Sequence, residues 1–416
     1  MVDATGQFTA ADFARLEATA LAAGPIAMLD ELAAALAAAR RWHALFDLRL
    51  VQARLAAGLS LATTAPPDDL AAQAALDERS LVACREVGQG LLDDGEVAAA
   101  WMYLRAAMPV EEMAKQLASL AARALPAGGA AGALPPFDDK ASRLVDELLG
   151  VALWEAVDPA LGIEIMLRSQ GTCAAITAFE QAVSRLPARR QEPAARRLVA
   201  HLHGEVVRGL AVDLTAHGCD TAPAVAAATP LVSLLELAGE LADALPLYVD
   251  ISHLQSVLRI ARVCTDEFAV RQAWELAAYA CRLPPGVTYP GEPPFENLGE
   301  ASRLFFGATL GIDGAAAIRF FRRAAAGADL EVAGTLPGDT LVLLLARAGR
   351  PAEALHAAVA HPRSGVSPSL MQTGGQLPSL IELAAASGEW DLLLDACRRH
   401  GDALTFAAAL AASRGS

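Results

Sequence analysis

Short breaks built from Gly, Pro and Asp cut this chain into runs of about 12 to 20 residues in which apolar positions recur at helical spacing. Gly24-Pro25, Gly95, HGCDTAP at 217–223 and Gly388 are such breaks. The runs between them are made largely of alanine and leucine; 95 of the 416 residues are alanine. Ala and Leu are strong apolar helix formers, whereas strands favour β-branched and aromatic residues, and aromatics make up only 5% here. No run of alternating β-branched residues calls for a strand. The chain is therefore expected to be all-α, and it is too long for one small core, which points to two or three units or an extended array.

Charge and cysteine usage narrow the functional classes. Acidic residues outnumber basic ones by 48 to 33, for a net charge of −15, and only Lys115 and Lys140 are lysines. Such a chain carries no excess positive field for a phosphate backbone, so nucleic acid is not the expected partner. The arginine doublets at 189–190, 196–197, 322–323 and 398–399 read as solvated helix faces. The six cysteines are scattered without a C-x-x-C pair, which fits free thiols in a reducing, cytoplasmic setting better than zinc or a disulfide framework. No basic segment precedes an apolar stretch at the N-terminus, and the longest uncharged stretches, near Thr221–Leu235, carry two prolines and fall short of a membrane span.

The clearest linker is LPAGGAAGALPP at about 125–136, small, uncharged and bracketed by proline. It predicts N-terminal helical hairpins over 1–124 and a helical-repeat domain over 137–416. That second domain is interrupted by a proline-rich loop at 283–297 and a further break at 361–378. Local signals place some helix ends. Thr9 with Asp12 three residues on predicts an N-cap and capping box, and Trp42 opens a helix running to about Ala57.

The segment CREVGQGLLDDGEVAAAWMYLRAA carries the strongest repeat pattern. Cys84, Val87, Gly88 and Leu91 lie on one helix, Gly95 marks a tight turn, and Ala100, Leu104 and Ala107 lie along the next. Gly88 and Ala100 let the two backbones approach while Leu91 and Leu104 fill the space beside them. Half of this pattern recurs as Ala175/Phe179/Ala182 and as Ala317/Phe321/Ala324. Looser forms follow at Gly239/Ala244/Tyr248, Gly349/Ala354/Ala358 and Gly388/Leu393/Cys397.

Residues 84–107 resemble the tetratricopeptide repeat, and the other segments match half of that motif or less. The resemblance implies an α–α superhelix of antiparallel helix hairpins. It also implies a concave face that binds peptides or partner helices. In that register Arg85, Gln89 and Asp93, at i, i+4 and i+8, line the concave side. Tyr289, Glu292 and Phe295 in the proline-rich loop are further candidate contact residues, because long ordered loops often carry binding. The function expected is a non-catalytic protein–protein interaction scaffold.

Catalytic chemistry finds few footholds. His201 and His203 stand two apart, about 200° around a helix, so they are not expected to ligate one metal. No G-x-S-x-G, P-loop, G-x-G-x-x-G or H-E-x-x-H motif is present. No catalytic residue, metal or cofactor is therefore expected. The rival reading is a helical enzyme or small-ligand binder, its site formed by His253, the Arg259/Arg262 face and the 283–297 loop. A closed pocket converging on His253 would favour the rival, and an open polar groove the scaffold.

Overall fold

A computed structural model describes residues 8–62, 69–125, 139–239, 250–284, 293–361 and 377–415. Every secondary-structure element among them is a helix. The chain forms two compact units, which divide between Ile165 and Met166.

The first unit holds α1 (Ala10–Ala23), α2 (Pro25–Ala38), α3 (Trp42–Ala56), α4 (Leu70–Asp93), α5 (Val97–Ala107), α6 (Val110–Ala124) and α7 (Asp139–Leu149), with a π-helical turn over Gly150–Trp154. Capping starts α1 where the residues predict it. The Thr9 amide donates to Asp12 Oδ2 at 2.9 Å while Thr9 Oγ1 accepts from the Asp12 amide at 3.4 Å. Each helix from α1 to α5 packs on the one before it.

The α4–α5 hairpin shows how closely two backbones can come. Val87, Ala100 and Leu104 are fully buried between the helices. A Cβ placed on Gly88 would lie 2.5 Å from Leu104 Cγ and 3.3 Å from the Ala100 carbonyl oxygen, so the contact admits glycine alone. At the turn Gly95 takes φ +85°, and the Glu96 amide donates back to the Leu91 carbonyl at 2.9 Å. The Trp42 ring of α3 lies against Gly90, and its Nε1 donates to Asp94 Oδ2 at 2.7 Å, tying the preceding helix to the turn.

The proline-bracketed stretch at 125–136 does not separate the units, and its residues 126–138 lie outside the described ones. After it, α7 packs on α5 and α6, and the π-helical turn packs on α5. Arg143 of α7 bridges to Glu96 at 2.7 Å and Glu147 accepts from the Ala98 amide at 3.0 Å, so the chain rejoins the hairpin it has just left. The boundary moves some thirty residues on because a flexible composition says where backbone can bend, not where packing ends.

The division falls within α8 (Pro159–Ala178), which bends at Gly171, where φ is +85°. The second unit continues through α9 (Ala188–Ala216), α10 (Ala222–Val225), α11 (Pro230–Ala238), α12 (Ile251–Ile260), a 3-10 turn at Ala261–Val263 and α13 (Glu267–Ala280). It ends with α14 (Leu298–Thr309), α15 (Gly314–Gly327), α16 (Leu330–Ala333), α17 (Leu336–Arg347), α18 (Pro351–Ala360), α19 (Leu380–Ser387), α20 (Trp390–His400) and α21 (Ala403–Gly415). The 29-residue α9 is the hub: α11, α12, α13 and the 3-10 turn all pack against it. Its core side chains Leu198, Val199, Leu202, Val206, Leu210 and Leu214 repeat at helical spacing. From α13 onward contacts run mostly between neighbours, α13 to α14 to α15 to α17 to α18 to α19, with α20 and α21 closing the series.

Of the recurring small residues, Ala100 and Ala358 are buried, whereas Ala107, Ala182 and Ala324 are half-buried. Ala175, Ala317 and Ala354 are fully buried, with Phe179, Phe321 and Leu393 buried beside their respective hairpins. Gly349 and Gly388 turn the chain with φ of +70° and +78°. Ala244 and Tyr248 lie outside the described residues.

Replacing Gly88 by Ala forces a methyl into Leu104, which has nowhere to move. Overpacking of this kind costs about 1–3 kcal/mol, against about 1 kcal/mol of helix propensity regained. Gly88→Ala is expected to lower stability in urea unfolding, and in a Leu104→Ala background to be neutral or stabilising. An unchanged midpoint for the single variant would show that the α4–α5 approach is not tight.

Candidate functional site

The residues expected to line a concave face are already engaged with neighbouring elements. Arg85 Nη2 donates to the Ala107 carbonyl at 2.7 Å, covering the C-terminus of α5. Gln89 Nε2 donates to Asp93 Oδ1 at 2.9 Å and exchanges hydrogen bonds of 3.2 Å with Gln116 of α6. Arg85 and Asp93 remain exposed, so the three form a polar strip along α4 whose inner edge is held by α5 and α6.

Of the three candidate contact residues in the proline-rich loop, Phe295 is described. Tyr289 and Glu292 lie outside the described residues. Phe295 does not face a partner: it is 2% exposed, with its ring 5.5 Å from Phe321 and 6.4 Å from Phe320. Phe321 in turn meets Phe305 edge-on at 6.3 Å. Burying an aromatic ring in such a cluster is worth more than exposing it, and Phe295 packs against α15.

Nor do the three residues of the rival site converge. His253 Nε2 lies 3.8 Å from Oδ2 of Asp250, whose other carboxylate oxygen caps the same helix by accepting from the Ser252 amide. Arg259 reaches Glu180 at 3.3 Å on the exposed side, and Arg262 extends over the Phe305 ring at 5.8 Å. The two neighbouring histidines separate as helical geometry requires. His201 Nε2 meets Thr172 Oγ1 at 3.0 Å and Glu205 at 3.2 Å, while His203 Nε2 points to the buried Glu275 at 3.4 Å. Glu275 also accepts from the Leu231 amide at 2.8 Å, which fixes the start of α11. Among the described residues no group of three or more His, Cys, Asp or Glu side chains is placed to hold a metal ion.

A cleft of about 530 Å³ does open elsewhere in the second unit. Its walls come from the first turns of α9, the 3-10 turn and Thr265, the last turns of α17 and the start of α19. Glu192 organises one side. Its carboxylate accepts from the Thr265 amide at 2.6 Å, the Asp266 amide at 2.9 Å and the Thr265 hydroxyl at 2.9 Å, pinning the entry of α13 to α9. Glu382 is spent in the capping box of α19, accepting from the Ser379 amide at 2.7 Å.

Arg347, at the C-terminus of α17, forms the floor. Its Nη2 donates to the Arg262 carbonyl, and its guanidinium stacks 5.5 Å from the centre of Phe305. Its Nη1 is buried and has no hydrogen-bond partner. Burial draws its pKa down from the usual arginine range. The same surroundings push the Cys264 thiol up to about 12, chiefly by desolvation. In sequence Arg347 carries no signal beyond that of a cation suited to a helix C-terminus. Only the fold brings it to Glu192, 155 positions earlier.

No protein family, curated protein or solved structure matches this chain. No helix among the described residues is long and apolar enough to cross a membrane.

Two outcomes follow from these surroundings. Thiolate is the reactive form of cysteine, so iodoacetamide on the folded protein is expected to label exposed Cys173 and spare buried Cys264 until denaturant is added. Mass spectrometry of the labelled peptides checks this; early labelling of Cys264 contradicts it. The His201 hydrogen bond holds the Glu205 carboxyl below its ordinary 4.5, burial opposing. A depressed carboxylate contributes stability above its unfolded pKa and loses it as pH falls through the folded one. Glu205→Gln is thus expected to flatten the Tm-against-pH curve below about pH 4.5. Identical acid limbs for parent and variant would remove His201–Glu205 as a stabilising pair.

Proposed function

We propose that the chain is a non-catalytic interaction scaffold of the helical-repeat type, built as a tetratricopeptide-like array of helix hairpins and acting in the cytoplasm on a protein or peptide partner. The observation that carries this reading is the order of contacts in the second unit, which runs from α13 to α14 to α15, on to α17 and from there to α18 and α19. Such nearest-neighbour stacking is how helical-repeat proteins build extended binding surfaces. The α4–α5 hairpin supports it with the close approach of Gly88 to the Ala100 carbonyl, Leu104 filling the space beside them. Six free thiols accord with a reducing compartment. The excess of acid over base favours a partner that is not nucleic acid.

The polar strip Arg85, Gln89 and Asp93 is the surface on which this reading is tested. Tagged protein is used to capture partners from the native extract, cross-linked and analysed by mass spectrometry. A stoichiometric protein whose cross-links map to α4–α6, and whose recovery falls about fivefold in Gln89→Ala/Asp93→Ala, is the expected result. A tightly bound metabolite with no protein partner would sink the scaffold reading.

A further inference from the structure

The cleft in the second unit holds an unfinished set of interactions. Buried N–H groups in native proteins are paired in more than about 90% of cases, so a buried guanidinium edge without a partner calls for one. Arg347 has its Nη2 committed to the Arg262 carbonyl and its face to Phe305, while Nη1 is buried and unmet. Arg347 as a whole is half-buried, and it lines the cleft. Arg189, on the rim, is exposed and makes no hydrogen bond or ion pair with the described residues.

The acidic groups of the same walls are already occupied. Glu192 receives two backbone amides and a hydroxyl, and Glu382 receives the Ser379 amide. Neither is left to serve a cation, and their charges would repel a dianion such as phosphate. A single carboxylate, with one negative charge, meets less of that repulsion while still answering the unmet guanidinium edge. The remaining wall, with Val263, Leu343, Ala346 and Leu377, is apolar, and the volume of about 530 Å³ lies in the range of small-ligand sites.

We propose that this cleft binds a small carboxylate carrying a short apolar chain, its carboxylate held by Arg347 Nη1 with Arg189 at the rim and its chain along Val263, Leu343 and Leu377. An arginine edge meets a carboxylate in a charge-assisted hydrogen bond, the strongest pairing open to that group. The ligand site is separate from the α4–α6 strip and does not depend on what binds there.

The test follows the arginine side-chain Nε–Hε resonances of ¹⁵N-labelled protein during titration with hexanoate, hexanamide and acetate at constant ionic strength. Hexanoate is expected to shift the Arg347 signal saturably, with Kd of about 1–10 mM. Hexanamide and acetate should bind at least about tenfold more weakly, since each lacks one half of the recognised chemistry. Arg347→Met should abolish the effect. Arg189→Gln, a change on an exposed side chain that leaves folding intact, should weaken binding about threefold. Equal shifts with hexanamide would show an apolar cleft without anion recognition. Equal shifts with acetate would show an adventitious anion only. An unmoved Arg347 signal up to about 50 mM hexanoate would overturn the proposal outright. Because the ligand series uses the unaltered protein, the outcome stands even if Arg347→Met fails to fold.

Discussion

Two helices can share a hairpin with little side-chain bulk between them only where one backbone offers no Cβ to the other. In this protein that condition is met at Gly88, where Leu104 and the Ala100 carbonyl occupy the space a methyl would need. It is met again between α13 and α14, where a Cβ on Gly299 would lie 3.1 Å from the Ala280 methyl and the Cys281 amide. Buried alanines at 100, 175, 317 and 354 extend the same rule to other helix contacts. Small residues bury little area each, so the gain comes from dense packing over long shared faces rather than from a few large anchors. Such hairpins need neighbours, and the order of contacts from α13 to α19 supplies them.

The cleft arises where this regular stacking is interrupted. Glu192 of α9 reaches across to the entry of α13, and Arg347 of α17 reaches to the carbonyl of Arg262. These two side chains join elements that are distant in sequence, and they leave a gap bounded by charge and lined by apolar surface. The cost of keeping a guanidinium there is moderated by the Phe305 face and by the Arg262 carbonyl. A scaffold and a ligand cleft are compatible on one chain, because the first uses outer helix faces and the second an internal discontinuity.

Much of the local structure was legible before any coordinates. The Thr9–Asp12 cap and the Gly95 turn follow from residue chemistry within a few positions, and the approach of Gly88 to Ala100 from the spacing of small residues across that turn. So does the divergence of His201 and His203. What was not legible depends on long-range packing. Phe295 reads as a candidate contact residue in a proline-rich loop, yet the Phe320 and Phe321 rings of α15, with Phe305 of α14 beside them, form the cluster that takes it in. The small, uncharged stretch near 125–136 reads as a domain linker, yet Arg143 and Glu147 beyond it return to the α4–α5 turn. The cleft was hidden for the same reason: nothing near Arg347 or Glu192 in the sequence marks the other as a neighbour.

The central claim is that helix pairs in the second unit depend on adjacent pairs through contacts at small residues. Native-state hydrogen exchange on Ala354→Leu tests it most directly, because Ala354 is fully buried where α18 packs on its neighbours. The account predicts lost amide protection in α17, α18 and α19, with α9 and α11 retaining theirs. Uniform loss of protection across the second unit would contradict it, showing one cooperative core rather than a chain of neighbour-supported hairpins.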